Sequence, residues 1–205
     1  MRPVIFDLEG TLVDFQWDLA AGEARAREAL VELGFPPDAL AGLNYAELLN
    51  TAVRRAAEFE VDGRVARETV DAVYDGFDAD ALERWTLRDG AEAVLEAVPE
   101  RALVTNVGRA ATTALLDRHE LDFDAVVTRD DVRLVKPDPE GLDRAAAALD
   151  GDPLFVGDSL TDVRAGEAAG LDVAIVLGGE TPDEALRSAA PAHLLDHLRD
   201  LLDVL

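Results

Sequence analysis

Four short stretches carry the residues able to do chemistry. Asp7 and Glu9 lie in Phe6-Asp7-Leu8-Glu9-Gly10-Thr11-Leu12, and Thr105 and Asn106 close Leu103-Val104-Thr105-Asn106. Lys136 opens Lys136-Pro137-Asp138-Pro139, and Asp158 and Asp162 bracket Gly157-Asp158-Ser159-Leu160-Thr161-Asp162. Gathered carboxylates are the ligand set of a hard divalent cation. Magnesium in particular takes a few carboxylates plus substrate phosphate and keeps several waters. Asp7 and Asp158 are the best ligand candidates, with Asp162 one helical turn beyond Asp158. If one Asp7 oxygen binds the ion, the other can attack phosphorus, with metal and lysine offsetting the repulsion between two anions. Lys136 suits that task as a point charge for carboxylate or phosphate. The Thr105 hydroxyl and the Asn106 backbone N–H can donate to phosphoryl oxygens, aided by the helix start that follows. Glu9 is placed to protonate a leaving group and then to activate water.

The elements that must position these residues follow from hydrophobic periodicity. Pro3–Leu8, Arg101–Thr105, Ala125–Val127, Leu154–Gly157 and Val173–Leu177 are short apolar runs of the kind that form buried parallel strands. Helical periodicity alternates with them over Ala91–Ala97, Arg109–His119, Pro139–Leu149 and Asp162–Ala169, and the tail His193–Leu205 is amphipathic. Strands and helices taking turns predict an α/β fold with a doubly wound parallel sheet, Rossmann-like in its core. Between the first two strands the period changes. Asp18–Leu33, Tyr45–Glu60 and Val65–Leu82 are Ala/Glu/Arg-rich with helical spacing, broken at Gly34-Phe35-Pro36-Pro37 and Asp62-Gly63. The expected division is a core of 1–14 and 86–205 with an inserted helical cap over 15–85. Ligands of such sheets sit beyond the carboxyl ends of the strands, where Asp7, Thr105, Asn106 and Asp158 all fall.

Each motif has a plain structural alternative. Asp-x-Glu-Gly-Thr can be a strand-end turn, Gly-Asp-x-x-x-Asp a helix N-cap, and Lys-Pro-x-Pro a rigid loop with a solvated lysine. Their joint occurrence in order favours chemistry, and Lys136 adds weight as the sole lysine of a chain that otherwise uses arginine. Other candidates read as structural. His119, His193 and His197 share no ligand spacing with acids and are expected at the surface. Arg54 and Arg55 face Glu58 on a helix, Arg109 is balanced between the phosphate edge and solvent, and Gly178-Gly179 after the last strand is a turn. Gln16, Trp17 and Tyr45 are candidates to line a cleft between cap and core, with core packing the stronger reading for Trp17.

Taken together, the four motifs resemble those of the haloacid dehalogenase-like superfamily, in its phosphatase branch with a small α-helical cap. They come in that family's order and at similar spacings across nearly the whole chain. The resemblance implies Asp7 as nucleophile and Glu9 as acid/base. It also implies Thr105 and Lys136 as holders of the phosphoryl group, and Asp7 and Asp158 as magnesium ligands together with the backbone carbonyl of Glu9. It further implies hydrolysis of a small phosphorylated metabolite, as phosphoglycolate phosphatases perform. One departure stands out: the second acid of the first motif is usually Asp and here is Glu9. The extra methylene moves a proton donor by about 1.5 Å, a displacement worth on the order of 100-fold in rate.

Composition bounds the alternatives. The chain's 205 residues suffice for one core with a modest insertion, and 49% hydrophobic residues with only 5% aromatics predict an aliphatic interior. No apolar run is long enough to span a membrane, no leader precedes the first strand, and the absence of cysteine removes disulfide and thiolate-metal frameworks; a cytoplasmic monomer or homodimer is expected. The family's phosphomutases are a close rival reading, and a non-catalytic phosphate-binding relic a more distant one. A signalling receiver domain shares the acid, hydroxyl and lysine set, but carries its phosphorylated Asp on a later strand. With 43 acidic against 19 basic residues the net charge is −24, which disfavours nucleic acid as a partner and resembles proteins of halophiles. The acids are spread through helical segments, so their mutual repulsion must be screened, and molar salt shortens the screening length to roughly 3 Å. Folding stability is therefore expected to rise from 0.1 M to multimolar KCl in thermal melts, and equal melting temperatures would contradict this.

Overall fold

The structure is a computed structural model that describes residues 2–14, 16–179 and 181–205. Six parallel strands form one sheet in the order β3-β2-β1-β4-β5-β6. They are β1 (Val4–Phe6), β2 (Arg101–Val104), β3 (Ala125–Val127), β4 (Leu154–Gly157), β5 (Val173–Val176) and β6 (His193–Leu195). The chain winds outward from β1 through β2 to β3, then returns to the other side of β1 for β4, β5 and β6. The order therefore reverses between β1 and β4, and a crevice opens at the carboxyl ends of those two strands. Asp7 and Asp158 immediately follow them, and the Phe6–Val156 pairing sets Asp158 one residue beyond the level of Asp7. All residues of β1 and β4 are buried, as strands covered by helices on both faces must be.

Residues 19–82 are helical. The segments are α1 (Leu19–Leu33), α2 (Pro37–Leu40), α3 (Tyr45–Arg55) and α4 (Gly63–Leu82). Asp18 caps α1 by accepting the Ala21 N–H at 3.0 Å, and Gly34, at φ 113°, ends it in the left-handed conformation that glycine tolerates. Asn44 and Glu47 form a reciprocal capping box at the start of α3. Asp62 accepts the N–H groups of Arg64 and Val65 to start α4. Packing of α1 and α3 on α4 buries Ala26, Leu30, Leu48, Leu49, Val70 and Tyr74. Small alanines let these helices approach closely, which explains how an interior so poor in aromatics closes.

After β1 the core helices are α5 (Ala91–Ala97), α6 (Arg109–His119), α7 (Glu140–Ala146), α8 (Leu160–Ala169) and α9 (Asp183–Ala189). The expected strands and helices recur within a few residues, the structure adds the short helices α2 and α9, and three expected elements differ. The amphipathic tail is not one helix: His193–Leu195 adds a sixth strand to the edge at β5, and only Leu198–Asp203 coils, as a 3₁₀ turn. Alternation over three residues is too short to distinguish from a helical stripe. Val173–Val176 is thus not the last strand, so Gly178-Gly179 leaves an interior strand at the functional edge. The Tyr45 helix stops at Arg55 and tightens into a 3₁₀ turn over Ala56–Phe59, and α7 is shorter than its pattern. Among the described residues no helix is long and apolar enough to cross a membrane.

Candidate active site

Every residue singled out at the strand ends reaches one cleft of about 240 Å³, lined in part by Asp7, Glu9, Thr105, Asn106, Lys136 and Asp158. Its floor is a buried charge cluster. The Lys136 ammonium sits 2.6 Å from Asp7 Oδ1 and 2.7 Å from Asp162 Oδ1. Asp7, Asp158 and Asp162 each offer a carboxylate oxygen within 4.8 Å of the others.

The sequence around each residue explains its placement. Asp7 leaves β1 with its N–H bonded to the Val156 carbonyl at 2.8 Å. Asp162 stands at the third position of α8, where its Oδ2 accepts from Ser159 Oγ at 2.6 Å and Ser159 N at 3.1 Å. The other Asp162 oxygen holds Lys136, so a capping residue doubles as the lysine's anchor. Asn106 fixes the lysine backbone from the opposite side: its Oδ1 accepts the Lys136 N–H, and its Nδ2 donates to the Lys136 carbonyl, both at 3.1 Å. Asp158 has room because Gly10 and Gly179 lie against it, and a Cβ at either would collide with Asp158 Oδ2. Gly10 also has φ 77°, so a larger residue there would be strained as well as crowded.

Electrostatics follow from this burial. Three carboxylates around one ammonium leave the cluster short of positive charge, away from water. Burial raises Asp7 to about 7, with Lys136 pulling it down and Asp162 pushing it up. Burial, with Asp162 and Asp7 beside it, lifts Asp158 well above the carboxylate range. Burial disfavours the charged lysine, but Asp162 and Asp7 outweigh it and hold Lys136 above its ordinary value. Burial raises Glu9 to about 8, Asp78 adding to the rise while the Trp85 indole opposes it. The Trp85 Nε1–H donates to Glu9 Oε1 at 2.7 Å and so fixes where the longer side chain points. An all-oxygen set with deficient positive charge suits a divalent cation such as magnesium. Asp7 and Asp158 would be its ligands, with Asp162 tied to the lysine.

Several contributors carried no sequence motif. Arg129, fully buried after β3, pairs with Asp71 at 3.2 Å, Asp78 at 2.9 Å and Asp75 of α4. It also donates to the Asn106 carbonyl at 3.0 Å and to Tyr45 Oη at 3.2 Å. Asp78 accepts from Gly108 N at 2.9 Å and Trp17 Nε1 at 2.8 Å, and Tyr45 Oη donates to the Asn106 carbonyl at 2.6 Å. This network ties the helical segment to the loop after β2. Removing the guanidinium would strand the buried Asp78 carboxylate, a loss on the order of 3–5 kcal/mol. Arg88 donates to the Gly10 carbonyl and, at 3.4 Å, to that of Leu177, joining the loops after β1 and β5. In sequence these arginines are indistinguishable from the chain's many surface ones.

The remaining candidates fall outside the cluster. Arg109 pairs with Asp131 rather than facing the cleft, Arg54 reaches Asp138 at 2.7 Å and Arg55 pairs with Glu58 at 2.9 Å. Trp17 and Tyr45 do line the cleft, Trp17 being buried as expected, whereas Gln16 does not line it. His197 is exposed and His193 half-buried. His119 is also half-buried, with a buried Nε2 that finds no partner among the described residues.

The chain is similar to known proteins over most of its length. Residues 1–170 match the haloacid dehalogenase-like hydrolase family. A phosphoglycolate phosphatase of Cereibacter sphaeroides is 36% identical over 96% of this chain and 91% of its own length. One from Pseudomonas putida is 30% identical over 98% of this chain and 78% of its own. Among solved structures, a hydrolase from Pseudomonas syringae superposes with a TM-score of 0.69 at 22% identity, covering 99% of this chain and 97% of that one. CbbY from Rhodobacter sphaeroides, in complex with phosphate, gives 0.63 at 21% identity over 98% and 96%. With the family's model matched over most of the chain and relatives 30–36% identical over nearly all of it, the chain belongs to the haloacid dehalogenase-like hydrolases.

Proposed function

We propose that the chain hydrolyses a small phosphate monoester through a phosphoaspartate on Asp7. The observation that carries this reading is the Lys136 ammonium held within 2.7 Å of both Asp7 and Asp162 at the floor of the cleft. Asp7 attacks phosphorus, forming an Asp7–phosphorus bond as the ester oxygen departs. Glu9, which burial keeps protonated up to about pH 8, gives its proton to that oxygen. The resulting Glu9 carboxylate then takes a proton from water as the water oxygen attacks phosphorus. The acyl–phosphate bond breaks, inorganic phosphate leaves and Asp7 is restored. Lys136 and the Thr105 hydroxyl orient the phosphoryl oxygens, and Asp162 holds the lysine in line. Magnesium, held by Asp7, Asp158 and the Glu9 backbone carbonyl, would supply charge neutralisation and keep Asp7 ionised. Helices α1 and α3 contribute Leu19, Glu23 and Tyr45 to the cleft, which supports reading the helical block as a cap that excludes water. The relatives named phosphoglycolate phosphatases make that ester the first to assay.

Two outcomes test the proposal. With magnesium in molar KCl, nitrophenyl phosphate should be turned over, and Asp7→Asn should lower kcat by a factor on the order of 10³ or more. Acid-quenched wild type should carry phosphate on the Asp7 peptide. Near-normal turnover by the variant would remove the mechanism. The second outcome concerns pH. Asp7 and Glu9 ionise at about 7 and about 8 in the fold, against 3.8 and 4.5 ordinarily. From pH 4 to 8 the unfolded chain binds fewer protons than the fold, so their contribution to stability falls as pH rises through that window. A cation competing with the Asp7 proton should therefore raise the melting temperature more at pH 8 than at pH 5, and Asp158→Asn should erase the difference. Equal shifts at both pH values would contradict magnesium binding at this cluster.

A further inference from the structure

The wall of the cleft contributed by the helical segment has an unusual balance of donors and acceptors. Among the described lining residues Lys136 is the only cation, and its ammonium is already engaged by Asp7 and Asp162. The wall itself carries a carboxylate, Glu23, half-buried on α1. A negatively charged substituent on a substrate would ordinarily look to a helix N-terminus, and the start of α3 lines this cleft. Here several of those N–H groups are already taken within the protein. Tyr45 N donates to Glu23 Oε1 at 3.0 Å and Asn44 N to Glu47 Oε2 at 3.0 Å, while Glu47 N donates to Asn44 Oδ1 at 3.0 Å. Two aromatic donors of the wall are also turned inward: Tyr45 Oη to the Asn106 carbonyl at 2.6 Å, and Trp17 Nε1 to Asp78 at 2.8 Å. The one charged group that the wall presents is the second oxygen of Glu23, an acceptor, beside the apolar surfaces of Leu19 and Ala46.

We propose that the cleft selects phosphate esters whose alcohol part is neutral or cationic and bears a hydroxyl or amine for Glu23, and that it turns away esters bearing a carboxylate. Glu23 is then the specificity-determining residue, acting by acceptance of a donor and by repulsion of a like charge. This deepens the hydrolase reading and rests on it. It also departs from the ester in the relatives' names, which 30–36% identity permits, since most positions differ.

The test is a set of two-carbon phosphates that differ only at the far end: 2-phosphoglycolate with a carboxylate, 2-hydroxyethyl phosphate with a hydroxyl, and phosphoethanolamine with an ammonium. Nitrophenyl phosphate reports turnover as such, and all are assayed with magnesium in molar KCl. The hydroxyl and ammonium esters should exceed the carboxylate ester in kcat/KM by about 10-fold or more. Glu23→Gln keeps a carbonyl oxygen for the Tyr45 N–H and should shrink that ratio several-fold, chiefly by lowering KM for phosphoglycolate. Equal or better use of phosphoglycolate by wild type, while nitrophenyl phosphate is turned over, would overturn the specificity and spare the hydrolase reading. A ratio unmoved in a folded Glu23→Gln protein would remove Glu23 from the role. No turnover of any ester would end both.

Discussion

One buried lysine sets the terms for the rest of the structure. An ammonium out of water needs anionic partners, and Lys136 has two, Asp7 and Asp162, each within 2.7 Å. Those partners come from opposite sides of the sheet's reversal, Asp7 from β1 and Asp162 from the helix after β4. The contact therefore works as a clamp across the switch point, and Asn106 locks the lysine's backbone from β2. Three strand ends are fixed by one residue. Asp158, placed beside the clamp by two glycines that leave it space, adds a third acid to the cluster, the set proposed to hold a metal.

A second buried cation repeats this logic one layer further out. Arg129 serves three acids of α4 and the Asn106 carbonyl, so the loop that touches Lys136 is also tied to the helical segment. Asp78 extends the tie to Gly108 and Trp17. The fold thus carries two charge networks that share Asn106. The inner one faces the cleft, and the outer one sets the helices over it. Arginine fits the outer role because its planar fork can serve several acceptors at once, whereas the compact ammonium of lysine suits the crowded floor.

Much of this was legible in the residues themselves. The strand ends Asp7, Thr105 and Asp158 follow from apolar runs stopping at polar residues, and alternation with helices predicts that they share an edge. Lys136 stood out because the chain has no other lysine. The sixth strand was hidden because three residues carry too little periodicity, and that error also misplaced Gly179, which proves to be a neighbour of Asp158. Arg129, Trp85 and Glu23 were illegible for a different reason. Their meaning depends on burial and on contacts 20 or more residues away in sequence, and no local pattern separates a buried arginine from an exposed one in a chain with this many charges. Glu9 was visible as a departure, but its partner Trp85 lies 76 residues on.

The account stands on a cluster whose acids outnumber its cations, the basis for the proposed metal site. Diffraction from crystals grown with manganese in place of magnesium, and with a phosphate analogue present, tests that most directly through the ion's anomalous signal. The predicted result is one ion bound by Asp7 and Asp158 at the cleft floor, with the analogue between it and Lys136. Manganese found only on the acidic surface, with Asp7, Asp158 and Lys136 left unliganded, would contradict it.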